Sequence, residues 1–170
     1  MMRYSEQLAL IRKFKSHAPV DVEGLANALG VKVSYANLRP ETSGMIERIG
    51  DDRFRIVVNA NHPRTRQRFT IAHELGHYML HRHLIGEGIE DNRAYRSSCD
   101  GVYRNREIGP SQETEANKFA VSVLMPEHLM AEIRNNPNYN IPAAKARALG
   151  VSEHAYCIRE GLDYEPKYAR

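Results

Sequence analysis

The sequence predicts an α+β fold in which a small three-stranded sheet packs with one central helix and the C-terminal half is mostly helical. Three observations carry this. Residues 31–58 hold three short strand-like runs, residues 63–81 contain no helix breaker, and beyond residue 110 apolar side chains recur at helical spacing with stops at Pro126 and Gly150. Strands are read from short runs bounded by turn residues, helices from the 3.6-residue period.

Taken in order, Leu8, Ile11 and Phe14 recur every three residues over 5–15, an amphipathic helix. It must end before Pro19, because the residue ahead of a proline is pushed out of helical backbone angles. Asp21 is placed to cap a second helix carrying Leu25, Ala28 and Leu29, and Gly30 stands where a glycine stop belongs. Three strands follow over 31–35, 44–49 and 53–58, the last two joined by a turn at Asp51-Asp52. The helix over 63–81 presents Phe69, Ile71, Ala72, Leu75, Tyr78, Met79 and Leu80, an apolar surface broad enough to require burial. Residues 82–110, with Gly86-Glu87-Gly88 and Ser97-Ser98-Cys99-Asp100-Gly101, read as a long loop. A further helix opens at Ser111 or Gln112 and runs through Ala116, Phe119, Ala120, Val123 and Leu124 to Pro126. Shorter helices are expected over 127–133, over 143–149 and after Ser152.

With 170 residues, 42% hydrophobic and 26% charged, the chain is sized for one domain with a core of its own. Its longest uncharged apolar stretch, 119–126, falls far short of the ~20 residues that span a membrane. The first residues lead into no signal-peptide core, so the expectation is a cytoplasmic protein. Two cysteines, Cys99 and Cys157, do not make a disulfide framework. A net charge of +3 permits contact with nucleic acid without announcing it. The histidines are the anomaly, because four of the eight, His73, His77, His81 and His83, fall within eleven residues.

His73-Glu74-Leu75-Gly76-His77 is an HExxH pattern, and its spacing has a physical meaning. On a helix, positions i and i+4 lie one turn apart on one face, so two imidazoles converge on one Zn²⁺. Glu74, beside them, is placed to take a proton from a water and pass it to a leaving amine. No other charge falls on the segment from Thr70 to Met79, and burying two histidines and a glutamate is costly unless they are used. A third ligand is needed. His81 continues the row, but eight residues of helix rise about 12 Å, too far to share one ion with His73. His83 occupies the third-histidine place of a longer HExxHxxGxxH pattern, where Leu80 replaces the glycine that would turn the chain. Both read as exposed or helix-end residues. On the later helix, Glu113 shares a face with Ala116, Asn117 and Ala120, so it can point across a small-residue contact, with Asn117 as hydrogen-bond partner to a ligand. Glu113 is the favoured third ligand, and Glu115, which shares its face with Phe119, is the alternative.

The run from Arg68 through His77, followed by Glu113-Thr114-Glu115-Ala116-Asn117 and by Leu124-Met125-Pro126, resembles the ImmA/IrrE metallopeptidases, relatives of the gluzincins. The likeness extends from about Ala26 onward. It implies a zincin-like core over residues 1–126, with 127–170 as a helical cap of the same domain. It also implies His73, His77 and Glu113 as zinc ligands and Glu74 as general base and acid. Members of the family cut a helix-turn-helix repressor under stress or DNA damage, switching on mobile-element, toxin–antitoxin or defence genes; the resemblance implies the same here. Selectivity would come from an exposed sheet edge along 53–59 that holds an extended substrate by main-chain hydrogen bonds.

Three further features stand apart. Cys99, in the long loop, is a candidate inhibitory fourth zinc ligand. The segment 143–156, with Gly150 at a turn and Ser152 as a cap, looks like a helix-turn-helix and carries the alternative of a DNA-binding regulator. Its second helix offers Glu153 and Glu160 against only His154 and Arg159, a poor match to phosphates, so a packing role is the favoured reading. Arginines 64, 66, 68, 82, 93, 96, 104 and 106 surround the motif in sequence and raise single-stranded DNA as an activator.

Overall fold

The computed structural model describes residues 2–85, 95–98 (backbone only) and 108–164. Helices α1 (Tyr4–Phe14) and α2 (Val22–Ala28) lead into β1 (Val31–Ala36), β2 (Thr42–Gly50) and β3 (Arg53–Asn59), then the long helix α3 (Arg64–Leu80). A single 3-10 turn (Arg82–Leu84) and a strand β4 (Tyr95–Ser98) precede α4 (Pro110–Leu124), α5 (Glu127–Asn135), α6 (Pro142–Leu149) and α7 (Glu153–Glu160).

Local chemistry accounts for most boundaries. Asp21 accepts a hydrogen bond from the Gly24 amide at 2.9 Å and so starts α2, and Gly30, at φ +82°, takes the left-handed position after it. The β2–β3 turn places Asp52 at φ 52°, a conformation that aspartate tolerates better than most residues. α4 and α6 each begin at a proline, Pro110 and Pro142, slightly ahead of the expected starts. The fixed φ of proline suits the first helical position, where its missing N–H is not needed.

The sheet order is β1-β3-β2-β4, with β1 parallel to β3 and the other pairs antiparallel. The fourth strand falls inside the segment read from sequence as loop, where sparse apolar periodicity left nothing to mark it. β3 is internal, its backbone paired to β1 on one side and β2 on the other. The expectation that 53–59 offers a free edge to substrate is therefore wrong. Both sets of hydrogen-bonding groups are used, and Glu47 and Arg55, opposite one another on β2 and β3, also form an ion pair.

α3 lies against this sheet. A Cβ on Gly44 of β2 would fall 2.5 Å from the Thr70 Cγ2, so the missing side chain sets how closely helix and strand approach. At the other end of α3, Tyr78 packs edge-on to Phe54 of β3 with ring centroids 5.2 Å apart, and its hydroxyl donates to the Leu29 carbonyl at 3.2 Å. One apolar cluster runs from Val20 and Leu25 through Ile46, Ile56, Ile71 and Leu75 to Leu129, Leu149 and Tyr156, joining the sheet, α3 and the C-terminal helices. The α6–α7 turn has the expected chemistry: Gly150 is left-handed at φ +68°, and the Ser152 hydroxyl accepts from the Ala155 amide at 3.1 Å. Arg68 of α3 fastens this turn, donating to the Gly150 carbonyl at 2.9 Å and to the Val20 carbonyl at 2.8 Å.

Candidate metal centre

α3 buries nearly all of the HExxH segment: Glu74 and His77 are wholly inaccessible and His73 is 4% exposed. Seventeen residues of unbroken helix put His73 and His77 one turn apart on the face that meets α4. Their Nε2 atoms are 3.1 Å apart. Glu113, in the first turn of α4, spans the pair, with Oε2 3.3 Å from His73 Nε2 and Oε1 3.2 Å from His77 Nε2. α4 can come this close because α3 carries a glycine where the helices cross, as Gly76 faces Ala116.

These three side chains fit a metal ion. Around a tetrahedral ion with bonds of about 2.0–2.1 Å, ligand atoms sit about 3.3 Å apart, close to the observed separations. Two imidazole nitrogens and a carboxylate oxygen form the donor set of many catalytic zinc sites, which keep a fourth position for water. The outer nitrogens are also provided for. His73 Nδ1 lies 2.9 Å from the Asn117 Oδ1, an acceptor, so that nitrogen holds the proton and Nε2 is left with its lone pair toward Glu113. No other group of three or more His, Cys, Asp or Glu side chains with metal-binding spacing occurs among the described residues.

The charges agree with such a role. Burial pushes the His77 imidazole down to about 4, only partly opposed by its hydrogen bond with Glu113, so it is neutral at physiological pH and free to ligate. Burial would raise the Glu113 carboxyl, but its hydrogen bonds with His73 and His77 outweigh this and hold it at about 2. His73 moves the other way: burial lowers it, yet Glu113 and the charge of the adjacent Glu74 together lift it above the usual range.

The remaining sequence candidates separate. Glu115 does not reach the His73–His77 pair; it meets His81, with Oε2 3.1 Å from the His81 Nε2. His81 ends α3 as expected, but it is 4% exposed rather than open to solvent, held between Glu115 and the His77 Nδ1 at 3.1 Å. The sequence held a signal for this in the i+4 row His73, His77, His81, which excludes a shared ion but not a hydrogen bond. His83 is exposed in the 3-10 turn. Cys99 lies outside the described residues, as do Arg93, Arg104, Arg106 and the side chain of Arg96. The other four arginines are engaged with the protein itself. Arg64 reaches the Tyr35 hydroxyl, Arg66 the Ser43 hydroxyl and Arg68 two carbonyls, while Arg82 lies 4.0 Å from the Tyr78 ring centroid.

A groove of about 880 Å³ runs between α3, α4 and α7, with Phe69, Val121, Met125, Ala155 and Ile158 on its walls. Asn117, the partner of His73, also lines it. Arg66, His154 and Arg159 border it, and no carboxylate does so among the described residues.

The chain is 29% identical over 126 residues to uncharacterized immunity region protein 2 of Bacillus phage phi105, covering 74% of this chain and 70% of the phage protein. It is 31% identical over 118 residues to the radiation response metalloprotease IrrE of Deinococcus radiodurans, covering 67% of this chain but 33% of that protein. A Mycobacterium tuberculosis transcriptional regulator shares the fold, with a TM-score of 0.50 at 18% identity over 97% of this chain and 48% of its own. The chain thus spans about a third and about half of the latter two. The family model for the IrrE N-terminal-like domain, Peptidase_M78, matches residues 26–159. That match takes in the sheet, both helices of the candidate metal centre and most of the C-terminal helices, and the chain belongs to the ImmA/IrrE family of metallopeptidases.

Proposed function

We propose that the chain is a zinc-dependent endopeptidase that cuts a helix-turn-helix transcriptional repressor in the cytoplasm under stress or DNA damage, releasing defence, mobile-element or toxin–antitoxin genes. The observation that carries this reading is the convergence of His73, His77 and Glu113 next to a buried Glu74. His73, His77 and Glu113 would hold the ion, which when bound makes water nucleophilic at neutral pH and polarises a carbonyl. Glu74 accepts the proton of the attacking water and delivers it to the leaving amine nitrogen. Asn117 keeps the His73 proton on Nδ1. In this reading residues 127–170 cap the 1–126 core, and the Arg68 hydrogen bond to Gly150 supports this for the described residues.

The groove supports a protein substrate in particular. Its apolar walls and basic border suit an amphipathic segment with flanking acidic residues. The DNA-binding alternative draws less support from the same region. Ala155 and Ile158 of α7 face the groove, and Arg159 pairs with Glu127 at 3.4 Å. Incubating the zinc-loaded protein with the helix-turn-helix regulator encoded beside it, with and without single-stranded DNA, tests the proposal. A fragment that forms with the native chain and not with Glu74→Gln is expected. Cleavage by the Glu74→Gln protein at the native rate refutes the role of Glu74.

A further inference from the structure

We infer that His81 and Glu115 act together as positioning residues for His77, fixing which of its nitrogens faces the metal. The inference rests on the metal-site reading above and concerns two residues that this reading leaves unused. His77 Nδ1 and His81 Nδ1 are 3.1 Å apart, and His81 Nε2 is 3.1 Å from Glu115 Oε2. Two imidazole nitrogens share a hydrogen bond only when one carries a proton and the other does not. An ionised carboxylate only accepts, so Glu115 draws the His81 proton to Nε2. In the neutral ring His81 Nδ1 is then an acceptor, and the proton between the rings comes from His77 Nδ1. That leaves the lone pair of His77 on Nε2, the atom 3.2 Å from Glu113 and 3.1 Å from His73 Nε2.

The arrangement parallels that of His73, where Asn117 does the same in one step. It also accounts for a burial that packing alone does not require. His81 is a polar residue at a helix end, 4% exposed, while its partner Glu115 has a side chain 54% exposed on α4. The chain of contacts thus runs from the buried imidazole of His77 through His81 to a solvent-facing carboxylate, and its outer contact ties the C-terminal end of α3 to α4.

The test is metal affinity, read with Co²⁺ and Zn²⁺ by competition with a chromophoric chelator, together with the visible spectrum of the Co²⁺ form. His81→Ala is expected to weaken binding 10- to 100-fold and to alter the Co²⁺ bands, and His81→Gln, whose side-chain carbonyl can still accept from His77 Nδ1, to recover most of the loss. Glu115→Ala, an exposed change that leaves the core intact, is expected to weaken binding by a smaller factor, and His83→Ala to leave it unchanged. Circular dichroism of the metal-free proteins establishes that each variant is folded; if His81→Ala is not, Glu115→Ala carries the test. Native affinity in both His81→Ala and Glu115→Ala overturns the inference, as does a folded His81→Gln no better than His81→Ala. A native chain that binds no Co²⁺ or Zn²⁺ overturns the metal-site reading instead, so the two failures are distinct.

Discussion

Gly76 of α3 and Ala116 of α4 meet backbone to backbone: a Cβ on Gly76 would lie 2.9 Å from the Ala116 Cα and 3.1 Å from its carbonyl oxygen. Ala116 is one turn beyond Glu113, so this contact carries the carboxylate to the two histidines. The second free position of HExxH is therefore constrained in this protein by the neighbouring helix. Gly76→Ala should gain up to about 1 kcal/mol in helix propensity and lose about 1–3 kcal/mol to overpacking. The clash falls on backbone, which cannot swing aside, so a net loss is expected, larger for Gly76→Val. Thermal unfolding of the metal-free protein and a chelator titration check this; a Gly76→Val protein with native stability and affinity would refute it.

Asn117 has one strong contact toward the centre, the 2.9 Å approach of Oδ1 to His73 Nδ1. Asn117→Ala frees that nitrogen and is expected to reduce zinc affinity about 10- to 100-fold. Asn117→Asp keeps an acceptor in place and should retain most of the affinity. Equal losses in the two variants would show that the contact does not depend on hydrogen bonding.

Arg68 was grouped by sequence with cations that could meet nucleic acid, yet its guanidinium is committed to the carbonyls of Gly150 and Val20. Hydrogen bonds from a charged donor contribute about 1.5–3 kcal/mol each, so losing both in Arg68→Met should cost about 3–6 kcal/mol by urea unfolding. Amide exchange should rise first around the α6–α7 turn. Exchange unchanged there, with stability intact, would contradict the clamp.

Ile158 is 67% exposed on α7 at the wall of the groove, so its replacement should not disturb the fold. Ile158→Asp places a carboxylate on a surface bordered by three basic residues and should raise KM for a repressor substrate more than it lowers kcat. Cleavage of a short generic peptide should be little affected. A parallel loss on both substrates would argue against the groove as a docking surface.

α5 and α7 are joined by Arg134, whose Nε and Nη2 each donate to Glu160 at 2.9 Å. The Arg134 hydrogen bond holds the Glu160 carboxyl below its ordinary value of 4.5. A depressed carboxyl contributes stability that is fully present above 4.5 and is lost as pH falls through the lowered folded-state value. Replacing Arg134 with Ala should therefore flatten the fall in Tm in that acid window relative to the native chain. Identical slopes would refute the assignment.

Sequence and structure divide the protein along the range of the forces involved. The amphipathic periods, the caps at Asp21 and Ser152, the glycines at 30 and 150, the turn at Asp51-Asp52 and the one-turn spacing of His73 and His77 are settled within a few residues of chain. Their chemistry is visible wherever the letters are read. The rise of one helix likewise sets His81 too far from His73 to share its ion, about 12 Å over eight residues. What the letters could not decide were relations between segments distant in the chain: the internal place of β3, the fourth strand, the burial of His81 and the direction taken by Arg68. The letters favoured Glu113 over Glu115, but the separate partner of each came only with the packing of α4 on α3. The two glutamates lie on adjacent sides of one helix with the same chemistry. Only the rotation of α4 about its axis, set by the close contact of Gly76 with Ala116, turns one of them toward His73 and His77 and the other toward His81.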